Sequence, residues 1–341
     1  MRIKFLQFSN YRSFGNYQNP VTSKIEDLRK LNMVFGDNNS GKSNVLKIID
    51  LIFQRKLQRQ SVMLSEEGEN RILEEIGPFW KGSIIDQPFI FHKNNRSNPI
   101  VFEVELEVTD EDIERSGLVE HQLLLEQYPS INGMSTVKIN GSIINDGTPA
   151  NSLIKISRVD LNGDETFTDD GITRTYFRDK DNLEGESQVF ESFISMFNEI
   201  VLFVDTDRSF SVEFDHSVPT ALTAKTFKNW LHKLSLDSVG YKKFENFVSF
   251  VRKQDVFGKI FRDFDVTFSK QDQEIEIVLN NGSERLPIAN YGTGIHQILY
   301  LLAILFETKA KIILIEELEL NLSPKTQREL FKVLRNLINQ G

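Results

Sequence analysis

Gly36-Asp37-Asn38-Asn39-Ser40-Gly41-Lys42-Ser43 constrains this chain more than any other stretch. Glycine, four residues, then Gly-Lys-Ser is the spacing of a phosphate-binding loop. The pattern has a direct physical basis. A polyphosphate needs donors on every side. Gly36 and Gly41 permit the tight turn that aims backbone N–H groups at the phosphates. The helix that follows points its positive end at them. Lys42 has the reach for the β- and γ-phosphates, and the Ser43 hydroxyl can bind Mg²⁺. The flanks agree. Leu31–Phe35 is an apolar run that predicts a strand, and Val45, Leu46, Ile48, Ile49 and Ile52 recur at helical spacing. A strand–loop–helix unit implies an α/β fold, with ATP and Mg²⁺ as the expected ligands.

At 341 residues the chain is long enough for two or three domains, or for one domain with insertions. It has no cysteine, which excludes disulfides and thiolate metal sites and is compatible with a reducing cytosol. The first residues carry no signal-peptide core and no run approaches a membrane span, so a cytoplasmic protein without membrane contact is expected. The net charge of −9 excludes a whole-chain basic footprint for nucleic acid. The 27 phenylalanines fall mostly at core spacing.

Residues 2–8 predict a first strand. Residues 54–75 read as a surface connection, helical in part. Phe102, Val104, Leu106 and Val108 alternate with glutamates, which predicts a half-buried antiparallel strand with a solvated acidic face. Asn140-Gly141, between Val137–Ile139 and Ile143–Ile144, predicts a hairpin turn. A second hairpin is expected to join Leu153–Val159 to Ile172–Phe177 across Asn162-Gly163-Asp164, and residues 178–188 read as a linker. Ile200–Val204 is an apolar run of buried-strand type that ends in Asp205-Thr206-Asp207-Arg208, where an α/β protein places ligand contacts. Pro219–Asp265 is helical in pattern. It holds nine basic residues (Lys225, Lys228, Lys233, Lys242, Lys243, Arg252, Lys253, Lys259, Arg262) against five acidic ones, with interleaved aromatics. That surplus makes residues 225–262 the best candidate surface for nucleic acid, against the plainer reading of a solvated helical face. Phe264–Ser269 and Glu274–Leu279 read as strands.

Two further motifs carry chemistry. Lys311–Ile315 is a buried-strand run that delivers Glu316 and Glu317 to a sheet edge. Glu316 is the expected Mg²⁺ ligand and Glu317 the group that polarises the attacking water. Asn290-Tyr291-Gly292-Thr293-Gly294-Ile295-His296-Gln297 precedes a helix over Ile298–Phe306, a second place where glycine-freed N–H groups meet a helix start. His296 reads as a surface or capping residue.

The order of these motifs resembles ABC-type ATPases of the RecF/SMC kind, and more narrowly the OLD (overcoming lysogenization defect) and AAA-15/AAA-21 proteins. Asn10-Tyr11-Arg12-Ser13-Phe14 is similar to their N-[FY]-R-S-F start, and Gly36–Ser43 to their loop. Gly292–Leu299 resembles a Gly-x-Gly-x-x-Gln-x-Leu signature, and Glu316–Pro324 their [ED]-E-P-E-x-H-L-H-P. Glu316 replaces the commoner Asp; Leu318, Asn321 and Ser323 replace Pro, His and His. The resemblance implies an ABC/SMC-type P-loop ATPase head with a mixed sheet, an antiparallel β lobe and a helical insertion. Its expected parts are an N-terminal ATPase lobe (1–110), a hairpin-rich insertion (111–188), a strand with basic helices (189–265) and a C-terminal lobe (266–341). Relatives continue past this point with a His switch, and OLD nucleases with a Toprim domain; neither is in this sequence. The nucleotide-binding set implied is Arg12, Gly36, Asp37, Asn38, Asn39, Ser40, Gly41, Lys42, Ser43 and Asn44, with Gly292, Thr293 and Gly294 completing a neighbour's site. Ser43 and Glu316 would hold the metal, and Lys42 and Glu317 would act on the reaction. Gln87 is the Q-loop candidate. A homodimer or higher homo-oligomer would then form around ATP.

Two functions fit. One is an ATPase of OLD-like anti-phage defence that responds to nucleic acid and controls a nuclease or other effector. The other is a nucleotide-dependent assembly scaffold that regulates a partner protein with little turnover.

Overall fold

The computed structural model describes residues 1–15, 24–37, 40–53, 61–64, 71–74, 84–85, 90–114, 121–145, 151–170, 174–176, 189–190, 193–194, 196–197, 200–204, 206, 222, 226–236, 238–254, 263–269, 274–280 and 284–340. In chain order the elements are β1 (Arg2–Ser9), β2 (Lys24–Ile25), α1 (Lys42–Phe53), β3 (Ser61–Leu64), β4 (Arg71–Glu74), β5 (Ile84–Ile85), β6 (Ile100–Thr109), α2 (Asp110–Glu114), α3 (His121–Gln127) and β7 (Met134–Asn145). Then come β8 (Asn151–Leu161), β9 (Asp164–Asp169), β10 (Arg174–Tyr176), β11 (Val201–Val204), α4 (Phe227–Leu236), α5 (Ser238–Lys253), β12 (Asp263–Ser269), β13 (Glu274–Asn280), β14 (Arg285–Pro287), α6 (Thr293–Glu307), β15 (Ile312–Ile315) and α7 (Pro324–Gln340). They form two compact units, Met1–Phe203 with Ala310–Leu314, and Val204–Lys309 with Ile315–Gly341.

The first unit is built on an antiparallel sheet in the order β10-β9-β8-β7-β6-β1-β2, with β5 paired to β8. β6 shows why. Phe102, Val104, Leu106 and Val108 are all buried on one face, as their alternation predicts. On the other face the glutamates are not simply solvated. Glu103 pairs with Lys138 at 2.9 Å, Glu105 with Lys4 at 3.2 Å and Glu107 with Arg2 at 2.5 Å. Such half-exposed pairs contribute about 0–1 kcal/mol each, whereas burying a Phe or Leu contributes about 1.5–3 kcal/mol. The apolar face therefore holds the sheet, and the ion pairs mark its register. α1 lays Ile48, Ile49, Ile52 and Phe53 into the same core as Phe8 and Tyr11.

Four expectations differ in this unit. Leu31–Phe35 is not a strand: no ladder of pairing takes up its backbone groups among the described residues, and Phe35 is 81% exposed. An apolar run becomes a strand only where a neighbour accepts its hydrogen bonds. Asn140-Gly141 is not a turn. β7 runs through it from Met134 to Asn145, with a register shift against β8 at this point. Gly141 lies opposite Phe102, whose ring tip would be 2.5 Å from an added Cβ. The extra residue of that shift is Ser157 on β8; Gly141 itself is a close approach, another use of that residue in a strand. The turn at Asn162-Gly163 does form, with both residues at positive φ, but it joins β8 to β9 at Asp164–Asp169, and β10 follows as the next strand. Within residues 54–75 the described parts are the strand pair β3–β4 rather than helix. The expected linker at 178–188 lies outside the described residues.

β11 and β15 form a separate two-stranded sheet. Ile312 N–H donates to Ile200 C=O, and Glu316 N–H to Val204 C=O. The equal steps along both strands make the pair parallel.

The second unit is helical around a small antiparallel sheet, β12-β13-β14, against which α4 packs. Aromatic rings join its helices. Phe227 of α4 meets Tyr300 of α6 edge-on at 5.9 Å, and Phe247 and Phe250 of α5 meet Phe306 of α6 at 5.3 and 5.7 Å. α6 begins five residues before the predicted helix, at Thr293. In α7, Leu330, Val333 and Leu334 are buried at helical spacing. Ser323 caps it, accepting from Thr326 N–H, with Pro324 at the first position, where a missing N–H costs nothing.

Candidate nucleotide site

The first unit holds the phosphate loop. Gly36, Asp37 and Ser40–Asn44 are described; Asn38 and Asn39 are not. Ser40 N–H donates back to Asp37 C=O, and Gly41 sits at φ +94° before the helix. The first helical bond runs from Val45 N–H to Gly41 C=O. α1 has no acid in its first turn to compete for its positive end. Lys42 Nζ folds back over the loop, donating to Gly36 C=O at 2.5 Å and Asp37 C=O at 2.7 Å. Its ammonium is thus already within the loop, and Ser43 stands beside it in the first turn of α1.

The N-terminal motif packs against this loop. A Cβ on Gly41 would meet the Phe14 ring at 3.0 Å and Ser13 Oγ at 3.1 Å, so the glycine serves contact as well as conformation. Asn44 reaches across with both amide atoms. Its Oδ1 accepts from Arg12 Nη1 at 3.2 Å, and its Nδ2 donates to Ser13 Oγ at 2.9 Å. Arg12 lies over the Tyr11 ring, 5.5 Å from its centroid. Burial pushes the Tyr11 hydroxyl up to about 12, against the opposing pull of the Arg12 charge. Arg12 itself is at φ +47°, a region unusual for a residue with a side chain. Residues 90–92 hold it there. Arg12 N–H donates to Ile90 C=O, and the His92 ring Nδ1 bonds Arg12 C=O at 2.8 Å.

The second unit holds the signature and the acids. Gly292 is the N-cap of α6, extended at φ −62°, and no side chain caps the helix there. Gly292 has open space around it. Gly294 does not: a Cβ there would be 2.7 Å from Asn321 C=O. The signature helix therefore rests on the turn that follows the acids. In that turn Leu320 N–H donates to Glu317 C=O, and both Glu317 and Asn321 have positive φ. Glu316 is buried and its neighbour Glu317 is exposed. Leu318 stands where the resembling motif has proline, so Glu317 is free of the extended backbone that a following proline imposes. His296, read as a surface or capping residue, is half-buried and donates from Nε2 to Ile288 C=O at 2.7 Å.

Two groups are thus assembled, each within its own unit: Arg12, Gly36, Asp37, Ser40, Gly41, Lys42, Ser43 and Asn44 in one, and Gly292, Thr293, Gly294, Glu316 and Glu317 in the other. Asp205, Asp207, Arg208 and the Q-loop candidate Gln87 lie outside the described residues. Among the described residues no cluster of three or more His, Asp or Glu stands ready for a metal, and no helix is long and apolar enough to cross a membrane. Sequence reasoning missed His92. It belongs to no motif, and its partner lies 80 residues away. It also missed Asn321 as the support of Gly294, although the requirement for glycine at 294 was its trace.

The sequence matches the family described as AAA ATPase domain over residues 1–341. Among curated proteins none matches.

Proposed function

The chain belongs to the AAA ATPase domain family, and from that premise we propose an ATPase of OLD-like anti-phage defence. It binds and hydrolyses ATP, dimerises around it, and controls a nuclease or other effector in response to nucleic acid. The observation that carries the nucleotide part is the Lys42 ammonium held over Gly36 and Asp37 at the start of α1.

The donor set fits a nucleoside triphosphate: two loop glycines, a lysine, a hydroxyl and an uncontested helix end. Lys42 would exchange its loop carbonyls for β- and γ-phosphate oxygens, a charge-assisted bond for a neutral one. Ser43 and Glu316 would hold Mg²⁺. The bound ion would neutralise phosphate charge as the transferred group departs. Glu317 would orient the attacking water and take its proton. Arg12, bonded to Asn44 of α1, would reach the same anion. Gly292, Thr293 and Gly294 of a second copy would offer the N-terminus of α6 to the γ-phosphate. The scaffold reading has one observation in its favour, the departure at Leu318 that leaves Glu317 exposed and left-handed.

ATP hydrolysis by the purified chain, alone and with single- or double-stranded DNA, tests both. Lys42→Ala and Glu317→Gln are expected to lower turnover by about 10²-fold or more, and DNA to raise it in the parent chain. ATP-dependent oligomerisation without turnover under any condition would reject the ATPase switch and leave the scaffold.

A further inference from the structure

We propose that His92 is a positioning residue for Arg12, acting on the nucleotide through it; the inference rests on the reading of Arg12 given above. The geometry is specific. Segment 90–92 grips both sides of residue 12. Arg12 N–H donates to Ile90 C=O at 2.7 Å, Tyr11 bridges to Phe91, and His92 N–H donates to Asn10 C=O at 2.9 Å. The imidazole supplies the remaining bond, from Nδ1 to Arg12 C=O at 2.8 Å. A carbonyl only accepts, so Nδ1 carries the proton. With its carbonyl fixed on one side and its guanidinium on Asn44 of α1 on the other, Arg12 keeps its left-handed backbone and its guanidinium stays at the start of α1. An extended backbone at this position would turn the side chain elsewhere.

The test is steady-state ATP hydrolysis by Arg12→Ala, His92→Ala, His92→Asn, His92→Gln and the Arg12→Ala/His92→Ala double variant of the full chain. Asparagine places its amide N–H near the position of Nδ1; glutamine carries it one bond further. Arg12→Ala and His92→Ala are each expected to lower kcat/KM for ATP by about ten- to a hundredfold. The double variant should fall no further than Arg12→Ala, His92→Asn should recover most of the loss, and His92→Gln should not. A merely structural histidine would give additive losses and no preference for asparagine, and either result overturns the proposal. So does an unaffected His92→Ala beside an impaired Arg12→Ala. An unaffected Arg12→Ala removes the reading of Arg12 itself, and this inference with it. If His92→Ala does not fold, the asparagine–glutamine contrast decides alone.

Discussion

Arg12 and Glu317, both proposed for nucleotide chemistry, sit in the left-handed region at φ +47° and +46°. Each costs about 1–2 kcal/mol relative to ordinary backbone. Such residues persist only where their surroundings over-determine them. For Arg12 the surroundings are segment 90–92 and Asn44. For Glu317 they are the bond from Leu320, the second left-handed residue at Asn321, and Gly294 beneath the Asn321 carbonyl. The two signature glycines therefore have different duties, which predicts different responses to alanine. At Gly294 an alanine gains about 1 kcal/mol of helix propensity. It also drives a Cβ into a backbone oxygen at 2.7 Å, and overpacking of that kind costs about 1–3 kcal/mol. The collision should win. Gly294→Ala should lower the denaturant midpoint and, by displacing the turn, reduce ATP turnover. Gly292→Ala, in open space at an ordinary φ, should leave stability within about 0.5 kcal/mol of the parent. Equal losses at both positions would show that the turn does not rest on Gly294.

At the scale of elements, one short helix is tied to the strand that leads to the acids. Thr109 and Asp112 form a reciprocal cap at the start of α2. Asp112 N–H donates to Thr109 Oγ1, while Thr109 N–H and Oγ1 donate to Asp112 Oδ2. The same carboxylate pairs with Lys311, at the head of β15, at 3.0 Å, and with the Met1 amino group at 2.8 Å. Burial works against its charge and is outweighed by the bonds from the amino group, Lys311 and Thr109, so its pKa falls below the usual carboxylate range. A depressed pKa contributes stability above the unfolded value near 4 and loses it as pH falls further. Asp112→Asn should cost about 2 kcal/mol at neutral pH. The gap to the parent should close progressively below about pH 4, as urea melts across pH would read. A gap that persists at low pH would mean the charge is not what matters. β6 and α1 were legible because period alone decides which face is buried, and Phe102–Val108 and Ile48–Phe53 follow it. Asn140-Gly141 misled because the glycine that makes a turn also serves a close approach inside a strand, and only Phe102 across the sheet distinguishes them. Leu31–Phe35 misled because strand identity belongs to a pair of segments, and one segment cannot announce its partner. His92 was illegible for the same reason: its role is a bond to a distant backbone.

For the whole molecule the question is how a chain of net charge −9 would hold a polyanion. The large sheet offers little, since its face cancels charge pairwise, Lys4 and Arg2 against Glu105 and Glu107, Lys138 against Glu103. The second unit keeps a local surplus. On α4 and α5, Lys233, Lys242 and Lys253 are exposed, while Lys243 is taken up by Glu307 at 2.6 Å. Exposed Tyr241 adds a ring beside Lys242 on α5. If nucleic acid regulates this ATPase, this surface is the proposed place where phosphates are neutralised, and binding should weaken with salt because each neutralised phosphate releases its counterions. Each phosphate contact removed should lower the slope of log K against log salt by about 0.9 for duplex DNA. The triple variant Lys233→Glu/Lys242→Glu/Lys253→Glu should therefore lose about three units of slope or more. It should lose DNA stimulation of turnover while keeping its DNA-independent rate, because none of the three lies in the phosphate loop, the signature or the acidic turn. Fluorescence anisotropy at several salt concentrations, beside the hydrolysis assay, separates the possibilities. An unchanged slope moves the nucleic-acid surface elsewhere. A lost basal rate means that α4 and α5 support the nucleotide chemistry rather than a ligand of their own.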